Sequence, residues 1–386
     1  MSPILNASDA QGAGGTGRAR QNRVYLDDAG AAPVLPEVIE ALRDVPQANP
    51  SSLHAEGRAA RSALDRARDS MAEALNADRS EITFTSSGTE AVNLALFGAA
   101  RRLPKHAEII TWAAEHQSVL GAVRRLEADS HQVSITAVDA TGRADPEAIT
   151  SGAALVSVGL ANNEVGTLQP VAEIVRRAHE VGALVHIDAC AGPRWVDIPH
   201  GADLVSFSGH KLGAGCGGAL YVREGVRLDP LLYGGPQEWG RRAGRENVVG
   251  AIAIATALNV CARDRTMHAA AAARQSAELR GLLQESGGTL TGSVDRLPNF
   301  ATATFAGRRG EDMLLSLDLA GVAASSGSAC ASGSLDPSHV LLAMGLSLDE
   351  ALGSLRLTTG YATTDEEVSR ARAIISTVLT PSPARA

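Results

Sequence analysis

Between Gly57 and Phe207 the sequence switches repeatedly between two periods. Apolar residues recur at helical spacing over 57–76, with charges on the opposite face. Short apolar or β-branched runs follow at 81–85, 108–111, 132–137, 154–160, 183–187 and 203–207, separated by helical patterns at 90–103, 117–128 and 170–181. Strands that alternate with helices predict an α/β fold built on a mainly parallel sheet. After Pro230 the texture changes. The Gly/Arg-rich stretch YGGPQEWGRRAGRENVVG leads into an Ala-rich helix from about 248 to 283, then short strands at 302–305 and 321–324, the loop SSGSACASGS, and helices at about 337–343 and 365–378. This predicts a large domain over 23–261, whose first ordered residues pack on a smaller α+β domain over 262–386. Residues 1–22 carry no periodicity and read as a disordered tail.

Composition narrows the function. The 386 residues are 45% hydrophobic with a formal net charge of −8, so no basic footprint for nucleic acid or an anionic membrane is present. No apolar run reaches the roughly 18 residues of a membrane-spanning helix, and the N-terminus lacks the pattern of a secretory signal. Cys190, Cys216, Cys261 and Cys330 are too few and too scattered for a disulfide framework, which points to a reduced, cytoplasmic setting. None of them has C-x-x-C spacing and the ten histidines form no H-E-x-x-H, so no metal site is expected. Two G-x-G-x-x-G matches, Gly12–Gly17 and Gly213–Gly218, lack the strand-before, helix-after context of a dinucleotide site.

Of the 35 Lys and Arg residues, only Lys105 and Lys211 are lysines. Chemistry that needs a neutral amine therefore has two candidates, because a guanidinium does not deprotonate in proteins. Lys105 follows Pro104 in a polar connector. Lys211 lies in SFSGHK, just past a predicted strand and beside Ser208 and His210. Three other strand ends join it. TSSGTE (Thr85–Glu90) precedes a helix, and its small residues suit a phosphate held by backbone N–H groups, although an ordinary helix cap is the plainer reading. Asp188 ends the apolar run ALVHID, as a turn residue or as the partner of a buried cation. His116 follows the EIIT strand. Phosphate cradle, carboxylate and amine together fit pyridoxal 5′-phosphate (PLP).

With YLDDAG, NPSSLHAEGR, FTSSGTEAVNLA, EHQSV, NNEVG, HIDA, SFSGHK, GGALYV, RENV, SSGSACASGS and SLRLTTG in place from about Tyr25 to Ile375, the chain resembles the cysteine desulfurases of the class V aminotransferase superfamily. The resemblance implies the PLP-dependent transferase fold type I, with a mainly parallel, seven-stranded mixed sheet and a smaller α+β domain. It implies conversion of L-cysteine to L-alanine, a homodimer, and a sulfur-acceptor protein as partner. By position, Lys211 should form the Schiff base and move the Cα proton, His116 should stack on the cofactor ring, and Asp188 should pair with the pyridinium. Gly88, Thr89, Ser208 and His210 should hold the phosphate. Asn163 and Arg356 should bind the substrate carboxylate, and Cys330 should take the sulfur as a persulfide. Three positions depart from the resemblance. Ala191 stands where a Gln is usual, Arg245 where a Thr reaches the partner subunit's phosphate, and YLDDAGAA lacks the usual Thr residues. A selenocysteine lyase, another class V aminotransferase-like enzyme and a catalytically weak sulfur-transfer scaffold stay open as alternatives.

Overall fold

The structure is a computed structural model, and it describes residues 23–327 and 337–380. In chain order the first elements are β1 (Val24–Tyr25), α1 (Pro36–Ala41), α2 (Ala55–Ala74), β2 (Ile82–Thr85), α3 (Gly88–Ala100), β3 (Glu108–Trp112), α4 (Gln117–Ala128), β4 (Gln132–Thr136), β5 (Ala153–Gly159), α5 (Val171–Glu180), β6 (Leu184–Asp188), β7 (Leu204–Ser208), α6 (Gly209–Leu212) and β8 (Gly218–Val222). The seven strands β2 to β8 form one sheet in the order β2-β8-β7-β6-β5-β3-β4. β4, β3, β5, β6 and β7 run parallel, while β8 is antiparallel to both β7 and β2. The chain is thus α/β with a mainly parallel sheet, as the alternation predicts, and the sheet is seven-stranded and mixed, as the resemblance implies.

Period-2 geometry explains how one strand serves two cores. Ile109, Leu155 and Leu204 point to a cluster with α3 and α4, whereas their neighbours Ile110, Val156 and Val205 point to a cluster with α2 and α5. Strands buried on both faces need no alternation of polar and apolar residues, which is why they read as continuous apolar runs.

The later elements are α7 (Val248–Glu285), β9 (Thr289–Leu290), β10 (Phe300–Thr304), α8 (Gly310–Leu319), β11 (Val322–Ala323), α9 (His339–Ala343), α10 (Leu348–Leu352), β12 (Ser354–Thr358) and α11 (Asp365–Leu379). A three-stranded antiparallel sheet has the order β12-β10-β9, and β1 pairs in parallel with β11. Val24 and Leu26 join Leu355, Leu357, Val368 and Ile375 in a second core. The 38-residue helix α7 belongs to both. Ala251, Ile254 and Leu258 sit in the main core, and Leu279, Leu282 and Leu283 in the second. The boundary expected at 261–262 falls within this unbroken helix. α1, α6, α8, β9, α10 and β12 are elements that the sequence patterns did not announce.

Candidate active site

The parallel strands end at one edge of the sheet, where an open α/β fold gathers its ligands. There a cavity of about 310 Å³ is lined by Gly88, Thr89, His116, Asn163, Asp188, Ser208, His210, Lys211 and Arg356. Nine of the eleven residues singled out in the sequence therefore meet in one place. Arg245 is exposed and absent from this wall. Cys330 lies outside the described residues. So do Ser328 to Asp336 as a whole, but both flanks reach the site. Gly327 lines the cavity, and beyond the gap the His339 ring donates to the Glu115 carbonyl (2.9 Å) while Ser338 donates to buried Glu164 (2.5 Å).

Local sequence sets each wall. Ser87 caps α3 by accepting from the Glu90 N–H (3.2 Å), so the first turn of that helix opens at Gly88. A Cβ on Gly88 would sit 2.5 Å from the Cys190 sulfur and 2.8 Å from the Ser208 Cβ, so the close approach of these loops requires glycine here. Gly209 is as constrained, since its Cβ would lie 1.9 Å from the Cys216 carbonyl oxygen. That contact fixes the turn from β7 into α6, which carries His210 and Lys211. Ser208 and His210 are joined by a 2.7 Å hydrogen bond. Burial, then the Lys211 and His116 charges, push the His210 imidazole down to about 4, so it is neutral at pH 7.

His116 caps α4, and its Nδ1 accepts from the Ser118 N–H at 3.1 Å. A backbone donor on Nδ1 leaves the ring proton on Nε2 in the neutral tautomer. Burial holds its pKa below the ordinary value, against the Asp188 carboxylate. For Asp188, burial disfavours the charge. His116, hydrogen bonds from Cys190 and then His186 more than offset it, leaving the carboxyl below its usual range. Asp188 is therefore a buried anion aimed at the cavity. Glu115, on the same wall, is the reverse. Burial dominates, a backbone hydrogen bond from Gly159 opposes it, and the Asp188 charge adds to it, raising Glu115 to about 8. Two carboxyl groups with opposite charge states thus share the site.

On the far wall Arg356 is 3% exposed. Its Nη1 donates to the Asn163 carbonyl (2.8 Å) and its Nη2 to Asp27 (2.8 Å), while its buried Nε has no hydrogen-bond partner among the described residues. The contact with Asn163 is to the backbone, so Asn163 positions Arg356 in addition to lining the cavity itself. Sequence reasoning missed Asp27 and Glu115. Both lie in motifs that it quoted, but their significance depends on partners from remote elements.

A family model described as aminotransferase class-V matches residues 24–371. The chain belongs to this family. Its members are PLP-dependent enzymes, and the resemblance to cysteine desulfurases read from the motifs is borne out. A cysteine desulfurase of Trichormus azollae is 40% identical over 365 residues, 90% of each chain. A solved NifS-like protein is 31% identical and covers 92% of this chain and 99% of its own, with a TM-score of 0.86. SspA, solved in complex with cysteine, is 32% identical over 87% of this chain and 98% of its own, with a TM-score of 0.76. Within this class-V aminotransferase fold, no helix among the described residues is long and apolar enough to cross a membrane, and no group of three His, Cys, Asp or Glu side chains is placed to hold a metal ion.

Proposed function

We propose that this protein is a PLP-dependent L-cysteine desulfurase in which Lys211 carries the cofactor and Cys330 accepts the sulfur. The observation that supports this most is the convergence of Lys211, Asp188, His116 and the Gly88–Thr89 helix start on one cavity, with both flanks of the SSGSAC loop at its rim. The residues present fit the cofactor. Asp188 supplies a buried anion for the pyridine nitrogen, and the Gly88–Thr89 backbone with Ser208 and His210 offers a donor cradle for the phosphate. When bound, PLP supplies an electron sink for the Cα substituents of an amino acid.

The protein's own residues then have defined tasks. Arg356, held by Asp27 and the Asn163 carbonyl, grips the substrate carboxylate with its remaining donors. Lys211 takes the Cα proton and returns one. His116, neutral with its ring proton on Nε2, would stack on the cofactor ring and assist proton movement. Cys330 attacks the substrate sulfur as a thiolate, leaving L-alanine, and passes its persulfide to an acceptor protein. His339 and Ser338 anchor one end of the segment that carries it. Lys211→Ala is expected to lose the yellow, borohydride-reducible chromophore. Cys330→Ser should keep that chromophore and the spectral response to L-cysteine, but its sulfide release should fall to background. Undiminished sulfide release by Cys330→Ser would overturn the reading.

The second part of the proposal is a homodimer that completes the site with Arg245. This exposed guanidinium sits in a stretch that also exposes Leu232, Tyr233 and Trp239. The stretch is rigidly held. Glu238 and Trp239 adopt positive φ, and the buried Arg68–Glu238 pair (2.7 Å) ties them to the sheet through the Phe84 N–H. An exposed aromatic patch kept in strained backbone suits a protein partner better than solvent. Sedimentation should give a dimer, and Arg245→Ala should weaken PLP binding without dissociating it. A monomer that retains full activity would defeat this part.

A further inference from the structure

Behind the cavity three adjacent parallel strands place a line of polar side chains in the middle of the sheet. Ser157 on β5 is in register with His186 on β6, and Asp188 on β6 with Ser206 on β7. His186 and Asp188 are two apart, so they share a face of the strand. Ser157, His186 and Ser206 have no solvent exposure. Ser157 Oγ lies 2.9 Å from His186 Nδ1, His186 Nε2 lies 3.2 Å from Ser206 Oγ, and Ser206 Oγ lies 3.2 Å from Asp188 Oδ1.

Donor counting gives this line a direction. An ionised carboxylate only accepts, so Ser206 donates its one O–H to Asp188. The Ser206 oxygen must then accept from His186 Nε2–H. A neutral imidazole has one N–H, so Nδ1 is bare and accepts from Ser157. The ring is neutral because burial pushes His186 down to about 4, with the Asp188 charge acting the other way. Each bond thus fixes the next, and the chain ends on the carboxylate.

We propose that Ser157, His186 and Ser206 form a one-way hydrogen-bond chain that holds Asp188 ionised and aimed into the cavity, His186 and Ser206 being positioning residues for the cofactor's ring nitrogen. This rests on the reading that Asp188 meets that nitrogen. The other groups facing Asp188 agree with it. The Cys190 N–H donates to the same oxygen at 3.0 Å. The Cys190 thiol, pushed well up by burial and then by Asp188, stays protonated and cannot add a competing negative charge. Glu115 is neutral, and His116 and Lys211 face Asp188 from the cavity side. Without the chain, Asp188 would keep the cost of burial and lose a charge-stabilising donor.

The test is a double-mutant cycle on the full-length protein, read by PLP dissociation constant and by the pH midpoint of the cofactor's visible band. Ser206→Ala deletes one small donor. It should weaken PLP binding by about tenfold, the change that one pKa unit on the carboxyl corresponds to, and shift the midpoint. His186→Phe should act in the same direction, and His186→Gln, which can still donate to Ser206, should recover most of the loss. In an Asp188→Asn background, Ser206→Ala should change the dissociation constant by less than about twofold, because no charge remains to be held. A merely structural role would give the same penalty in both backgrounds and leave the midpoint fixed, and either result overturns the proposal. Wild-type protein that binds no PLP would instead overturn the proposed function, and this inference with it. Ser206→Ala and the cycle decide the matter even where His186→Phe does not fold, which far-UV circular dichroism reports.

Discussion

At Glu115 the chain buries a carboxylic acid beside an anion. With a folded pKa near 8 against an ordinary value of 4.5, the group is protonated in the native protein at pH 7 and ionised in the unfolded chain. A raised folded pKa contributes stability that is complete below pH 4.5 and is lost as pH rises toward 8. Glu115→Gln copies the neutral acid without its titration. The variant should therefore melt with the wild type at pH 4 and above it at pH 8 to 9, by about 2 °C or more. Equal melting at both pH values would contradict the buried acid. The same residue marks the limit of sequence reasoning. Lys211 and Asp188 stood out in the sequence, the first through the scarcity of lysine and both through their strand-end positions, and both line the cavity. The neutrality of Glu115 comes from its burial and from the Asp188 charge on another strand, against the opposing Gly159 hydrogen bond, and no local pattern carries that.

Most strands of the large sheet were legible because runs buried on both faces are largely apolar. β12 was not, although all five of its residues are buried. Its sequence, SLRLT, has a guanidinium at the centre, and an arginine inside a strand normally signals an exposed face. Here Arg356 is buried because Asp27 and the Asn163 carbonyl accept its hydrogen bonds. Helix α7 was legible in full, since Ala-rich sequence has high intrinsic propensity. Its consequence for packing was not. The middle of the helix, residues 262–271, contains no fully buried side chain, while the two ends lie in different cores. Ala270, exposed at this bridge, provides a direct probe. Ala270→Pro removes a helical hydrogen bond and clashes with the carbonyl four residues earlier, and should cost about 3 kcal/mol or more in chemical denaturation. Ala270→Gly should cost only about 1 kcal/mol. A proline variant as stable as the glycine variant would show that the bridge adds nothing to the fold.

Over the whole molecule, the division of labour follows the two sheets. The seven-stranded sheet presents Lys211, Asp188 and the Gly88–Thr89 helix start to the cavity. The smaller assembly brings Arg356 on β12, together with Gly327 after β11 and Ser338–His339 before the body of α9. The cavity is lined by residues of both sets. The reading of two domains from a change in sequence texture put the boundary at 261–262 and gave no warning that a single helix runs across it. That helix has a thermodynamic corollary. A flexible joint would let either half melt while the other stood. An uninterrupted rod anchored in both interiors transmits the loss of one to the other, so calorimetry should register a single endotherm whose van't Hoff and calorimetric enthalpies agree, with Ala270→Pro splitting it into two.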